Sequence, residues 1–243
     1  PLEPGDRLGL VGEVVVGLAG RTLLGLLAPE SGAATVVGFD TRHEGTRLRE
    51  YVGYMPEAEG LPSNTTAADF VGHMAEMSGI PPRAARQRAA DVLYQVGLAE
   101  ERYRLIKGFS TGMRQRVKLA QAIVHDPKLV FLDEPTAALN DDDSEHLLQL
   151  LRTLKEEQGI TSIMISHKLN EIAEICDRTT IIRDGHTIET IDMGETTGIQ
   201  DRIIRGMVGR DLTNRYPKRE HVVGEEVFRI DDWTVHHPTH PGR

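Results

Sequence analysis

The segment Lys128-Leu129-Val130-Phe131-Leu132-Asp133-Glu134-Pro135-Thr136 constrains this chain more than any other. Its apolar run has the composition of a strand buried on both faces of a parallel sheet, and Thr161–Ile165 is a second such run. The first run ends in two adjacent carboxylates. That ending puts acids at the carboxyl edge of the sheet, where open α/β folds hold their ligands. Asp133 there suits Mg²⁺, which prefers one or two carboxylates together with phosphate oxygens. Glu134 is then placed to polarise a water that attacks a γ-phosphate. The alternative is a strand end carrying two solvated acids, which the following Pro-Thr makes a poorer reading.

Around this segment the chain alternates between strand and helix patterns. Residues 8–16 are a β-branched apolar run, Thr22–Leu27 a short helix candidate, and Thr35–Val37 and Val52–Met55 short strand candidates. From 64 to 107 the pattern becomes helical: Ala67–Met77, then a helix opened by Pro81-Pro82 and carried through Ala84–Val96. Helices are expected at Arg114–Val124, Ser144–Glu157 and Ile172–Cys176. Thr179–Ile182 and Thr187–Ile191 bracket Arg183-Asp184-Gly185 as a hairpin. This outline is α/β with a helical insertion, and by itself it names no function.

Composition narrows the field. In 243 residues, 28 Lys and Arg stand against 37 Asp and Glu, a net charge of −9, so no basic face for nucleic acid is expected. No stretch approaches the ~20 apolar residues that span a bilayer. The lone Cys176 excludes an intrachain disulfide and a cysteine-based zinc site, as suits a reducing compartment. The chain opens on Pro1 rather than Met, which is expected of a fragment or a processed product. The histidines at 236, 237 and 240 have no spaced carboxylate or cysteine partners, and no metal site is expected there.

Two further segments frame the carboxylate strand. Upstream, Phe109-Ser110-Thr111-Gly112-Met113 opens a long helix, and its hydroxyl, free N–H groups and positive dipole end make an anion site. Taken alone it reads as an ordinary serine-capped helix; its spacing to Asp133-Glu134 favours the functional reading. Downstream, His167 follows the Thr161–Ile165 run, where it can hydrogen-bond a γ-phosphate and report on its presence.

In this order the segments resemble the nucleotide-binding subunit of ATP-binding-cassette (ABC) transporters. Phe109–Met113 is similar to the LSGGQ signature, Leu129–Glu134 to the Walker B strand with its catalytic glutamate, and His167 to the switch histidine. Asn140 stands in the D-loop where the family usually has Asp, and Glu57 in the Q-loop in place of Gln, keeping an oxygen ligand for Mg²⁺. Residues 47–133 look most like the ATPases of ABC-2-type exporters, and 134–243 like the first cassette of two-cassette sugar importers, with Asp232–Pro238 similar to the first strand of a second cassette. Recombination, an engineered chimera or an unfamiliar family would account for that change.

The family's phosphate loop, G-x-x-x-x-G-K-[ST], is degenerate. One frame, Gly12 to Gly17, keeps the glycines but has Leu18-Ala19 where Lys and Ser/Thr belong. The other supplies Gly20, Arg21 and Thr22 but has Val15 at the first glycine. The second frame is preferred because Thr22-Leu23-Leu24 continues as the family's helix does. A stiff Val-Val-Val run is poorly suited to converge amides on phosphate, and a guanidinium is not interchangeable with an ammonium.

The resemblance implies a P-loop NTPase (RecA-like) ABC ATPase fold: an α/β core from 1–56 and 116–195, a helical signature subdomain at 57–115, and a linker at 196–243. It implies ATP and Mg²⁺, with Glu134 and His167 catalytic. Gly20, Arg21, Thr22, Ser110, Thr111 and Gly112 would face nucleotide, and Asp133, Thr22 and Glu57 the metal. It also implies transmembrane permease subunits, a second cassette paired head to tail, indirectly a periplasmic sugar-binding protein, and a place on the cytoplasmic face of the membrane. The expected work is sugar import. An ABC-2-type exporter ATPase or a hydrolysis-deficient regulatory cassette is the alternative.

Overall fold

In a computed structural model of the chain, residues 7–12, 20–28, 31–58, 60–194 and 198–209 are described, with 228, 229 and 231; for 7–12 the description is of backbone alone. The valine run at 14–16, positions 13–19 of both phosphate-loop frames and the tail segment 232–240 lie outside the described residues.

Six strands form one sheet in the order β4-β5-β6-β1-β7-β8: β1 Arg7–Gly12, β4 Val52–Met55, β5 Leu129–Asp133, β6 Thr161–Ile165, β7 Arg178–Arg183 and β8 His186–Asp192. All neighbours run parallel except β7 and β8. β5 and β6 are buried along their whole length, as their unbroken apolar sequences require. Asp184 (φ 50°) and Gly185 (φ 75°) form the two-residue turn between Arg183 and His186, the left-handed pair that matches strand twist. A small hairpin, β2 Thr35–Val36 with β3 Phe39–Asp40, stands apart from this sheet.

The strand period of two divides the core. Leu129, Phe131, Ile163 and Ile165 face a cluster with Leu24, Leu48 and Val52; Val130, Leu132, Met164 and Met55 face the helices on the other side. By the same alternation Asp133 belongs to the face of Phe131. That face is covered by the helical turn 20–23 and by α1, Gly45–Leu48.

The helical stretch begins with α2, Ala67–Met77, capped by Thr66, whose hydroxyl accepts from Asp69 N. α3, Pro82–Gln95, takes proline at its first turn, and Ala85, Ala89 and Val92 join Val71 and Ala75 of α2 in the buried core. α4, Thr111–Ile123, lies with its backbone against β4. A Cβ on Gly53 would stand 2.0 Å from the Ala122 carbonyl oxygen, so only glycine permits this approach. α5, Asp141–Gln158, is capped by Asn140 and ends on Gly159 at φ 63°. α6, Leu169–Ile175, follows β6, and α7, Ile199–Val208, buries Ile203 and sets Gly206 close to Ile181 of β7. The extension beyond 196, expected as a linker, thus opens with a packed helix.

One local expectation is corrected. The helix expected over Thr22–Leu27 stops early, because Gly25 takes φ +65°, and Leu26 and Leu27 are left exposed. A Cβ there would meet the Thr41 carbonyl oxygen at 2.8 Å, so the chain turns where the 41–45 segment crosses it.

Candidate functional site

The register pairs Leu10 with Ile165 and Ile165 with Asp133, so β5 and β6 end at one level and β1 runs two residues past it to Gly12. Gly20 packs there: a Cβ on it would lie 3.5 Å from Ile165 Cδ1. The carboxyl ends of three strands and the start of the 20–23 turn therefore share one edge, with β1 lying between β6 and β7, both of which come later in the chain.

Asp133 is nearly buried, and its Oδ2 accepts from the Tyr54 hydroxyl at 3.1 Å. The exposed Arg21 lies against the same hydroxyl. Burial, and after it the Asp133 charge, push the Tyr54 phenol above its ordinary value, so it stays a donor. Thr22 is half-buried on the same turn as Arg21. Among the described residues no group of three or more His, Cys, Asp or Glu could by itself hold a metal. One carboxylate with a nearby hydroxyl suits Mg²⁺, whose remaining ligands would be phosphate oxygens and water.

Glu134 follows at φ +47°, a conformation rare for a non-glycine residue and common where function imposes it. Its amide donates to the Ile165 carbonyl at 3.0 Å, which turns the side chain away from the strand. His167 Nδ1 donates to Glu134 Oε1 at 3.0 Å, the His side chain being 63% exposed and the Glu side chain 17%. Because the carboxylate can only accept, the bond fixes the proton on Nδ1 and leaves Nε2 for another partner. Glu134 Oε2 is buried and, among the described residues, has no donor. A buried carboxylate oxygen is costly to leave unmet, and a bound water would satisfy it.

The signature residues are carried elsewhere. Ser110 caps α4, its hydroxyl accepting from Met113 N at 3.2 Å. Gly112 lies under Asp143, since a Cβ on it would meet Asp143 Oδ1 at 2.4 Å. Among the described residues no hydrogen bond joins Ser110, Thr111 or Gly112 to Asp133, Glu134 or His167. Glu57 is exposed, and no bond brings its carboxylate to Asp133; its carbonyl accepts from the buried Lys118 Nζ at 3.0 Å. Sequence reasoning missed Tyr54 and Lys118. Tyr54 pairs with Phe131 and so shares a face with Asp133, a placement that alternation gives only once the register of β4 against β5 is known.

The carboxylate strand, the histidine behind the neighbouring strand and the capped signature helix together define a nucleotide-binding α/β cassette. A family model described as ABC transporter matches residues 1–137, more than half of the chain, and the chain belongs to that family, which implies a nucleotide site. It is 55% identical over 152 residues to the L-arabinose transport ATP-binding protein AraG of Geobacillus stearothermophilus, covering 63% of this chain and 29% of that protein. It is 30% identical over 241 residues to the ribose import ATP-binding protein RbsA of Oceanobacillus iheyensis, covering 96% of this chain and 48% of that protein. The chain thus spans less than half the length of these relatives. Among solved structures, cbiO1 from Clostridium perfringens shares the fold at a TM-score of 0.73 and 24% identity, over 84% of this chain and 82% of that one. Among the described residues no helix is long and apolar enough to cross a membrane.

Proposed function

We propose that the chain is an ATP-binding cassette of a sugar importer, coupling ATP binding and hydrolysis to solute passage through permease subunits. The observation that carries the reading is the Glu134–His167 pair at the carboxyl edge, with Glu134 Oε2 buried and unmet among the described residues. The relatives named for arabinose and ribose point the same way. In this reading the core comprises 1–56 and 116–195, the signature subdomain 57–115, and 196–243 leads onward. The cassette works at the cytoplasmic face of the membrane, against a second cassette.

The residues divide the work by chemistry. Asp133, oriented by Tyr54, and the Thr22 hydroxyl would hold Mg²⁺, which when bound neutralises charge on the phosphates. Glu134 would orient and polarise the attacking water through Oε2, while its other oxygen is held by His167. His167 Nε2 is left to hydrogen-bond the phosphate. Gly20 and Arg21 would face the phosphates of the chain's own site. Ser110, Thr111 and Gly112, on a separate element, would complete the site of a partner cassette, as the N-terminus of α4 favours negative charge.

Mixing the chain with an intact partner cassette and Mg²⁺ tests this reading. ATP turnover is expected; Ser110→Arg should abolish the partner's share and Glu134→Gln the chain's own. A mixture in which neither substitution changes turnover overturns it. A second reading, a cassette that serves its partner and does not itself hydrolyse ATP, is favoured by Arg21 lying against Tyr54. It predicts loss with Ser110→Arg and none with Glu134→Gln.

A further inference from the structure

Two residues beyond Glu134, Thr136 is wholly buried. Its hydroxyl donates to Glu171 Oε2. Its carbonyl accepts from Lys168 Nζ at 2.9 Å, and the same ammonium pairs with Glu171 Oε1 at 3.1 Å. The three groups close a triangle with every charge paired. Lys168 directly follows His167, its amide donating to Ser166 Oγ at 3.0 Å, and Glu171 lies in the first turn of α6. The loop that carries Glu134 and the loop that carries His167 are therefore joined twice: through their own side chains, and through this brace behind them.

The two joints differ in strength. The His167–Glu134 bond has a largely exposed histidine, and a single bond to an exposed side chain fixes little geometry. The brace is more enclosed: Thr136 is wholly buried and Glu171 9% exposed, with the Lys168 side chain 28% exposed at its edge, and buried charge-assisted bonds are stronger and costly to break. Glu134 also holds a left-handed backbone, which persists only where the surroundings over-determine it. Its amide is fixed by the Ile165 carbonyl on one side, and Thr136 is fixed by the brace on the other.

We propose that Thr136, Lys168 and Glu171 are positioning residues that hold Glu134 in register with His167, so that the pair is assembled before any nucleotide arrives. The three bonds of the brace involve neither Asp133 nor the Glu134 and His167 side chains, so the brace acts through the two loops. Its consequence for turnover rests on the ATPase reading above; its consequence for the geometry of the pair does not.

The test uses the full chain labelled with ¹⁵N-histidine. His167→Gln identifies the His167 ring resonance, and Glu134→Ala gives its position without a partner. Thr136→Val keeps the volume and removes the hydroxyl; it should move the His167 resonance to the Glu134→Ala position. Thr136→Ser restores the donor and should return it. In the partner mixture, Thr136→Val should lower kcat about tenfold or more with KM for ATP unchanged, and Thr136→Ser should recover the rate. Glu171→Gln, which keeps the shape and loses the charge, gives the same direction should Thr136→Val fail to fold. A folded Thr136→Val chain whose His167 resonance stays in place overturns the proposal. If the unmodified mixture does not hydrolyse ATP, the ATPase reading fails and the resonance alone decides the brace.

Discussion

Gly53 and Glu134 meet opposite demands, one by lacking a side chain and one by bending its backbone to aim it. The Gly53 backbone meets the Ala122 carbonyl so closely that Gly53→Ala forces α4 away from β4; a loss of roughly 1–3 kcal/mol is expected. Chemical denaturation would show it as a lower midpoint with an unchanged slope. At Glu134 the substitution to Gln preserves the backbone and removes the charge that the His167 proton faces. Of the site's residues, Asp133, Glu134 and His167 were legible because strand burial and the residues that end each strand are local properties. Tyr54 was not, since its bond to Asp133 depends on the register of β4 against β5, strands separated by more than seventy residues of chain. Lys118 was hidden likewise: nothing in a helical pattern says that one lysine will turn inward to a loop carbonyl.

Elements with strong local signals were read almost to the residue. α2 was expected and found at Ala67–Met77, and the Asp184-Gly185 turn fixed the β7–β8 hairpin. Three acids in the first turn and Asn140 before them extend α5 one turn ahead of the expected Ser144, because the dipole and cap outweigh the lack of an apolar face there. Asn140→Ala should cost about 1 kcal/mol, read as a lower melting temperature, and Gly159→Ala a comparable amount because its φ is positive. The four-residue α1 was invisible, being too short to show a period. The helix after Gly20 was overestimated, because its end is set by the crossing of residues 41–45 at Gly25, a tertiary event.

For the molecule as a whole, stability should depend on pH through His125. Its ring hydrogen-bonds the Val52 carbonyl at 3.3 Å, and burial holds its pKa below the ordinary 6.5. The unfolded chain therefore takes up a proton first as pH falls, and stability drops as pH goes down through about 6.5 until the folded state also protonates. Melting temperatures measured from pH 8 to pH 5 should show this slope, and His125→Gln should flatten it. The strand order carries a consequence of another kind, for how the chain comes off the ribosome. Among the described strands β1 comes first in the chain, yet it lies between β6 and β7, which begin only at Thr161 and Arg178. Until those residues emerge, β1 lacks both of its described partners, so its pairing must wait on contacts of long sequence separation. A chain ending before residue 161 should be captured by chaperones or aggregate, whatever the state of its helices.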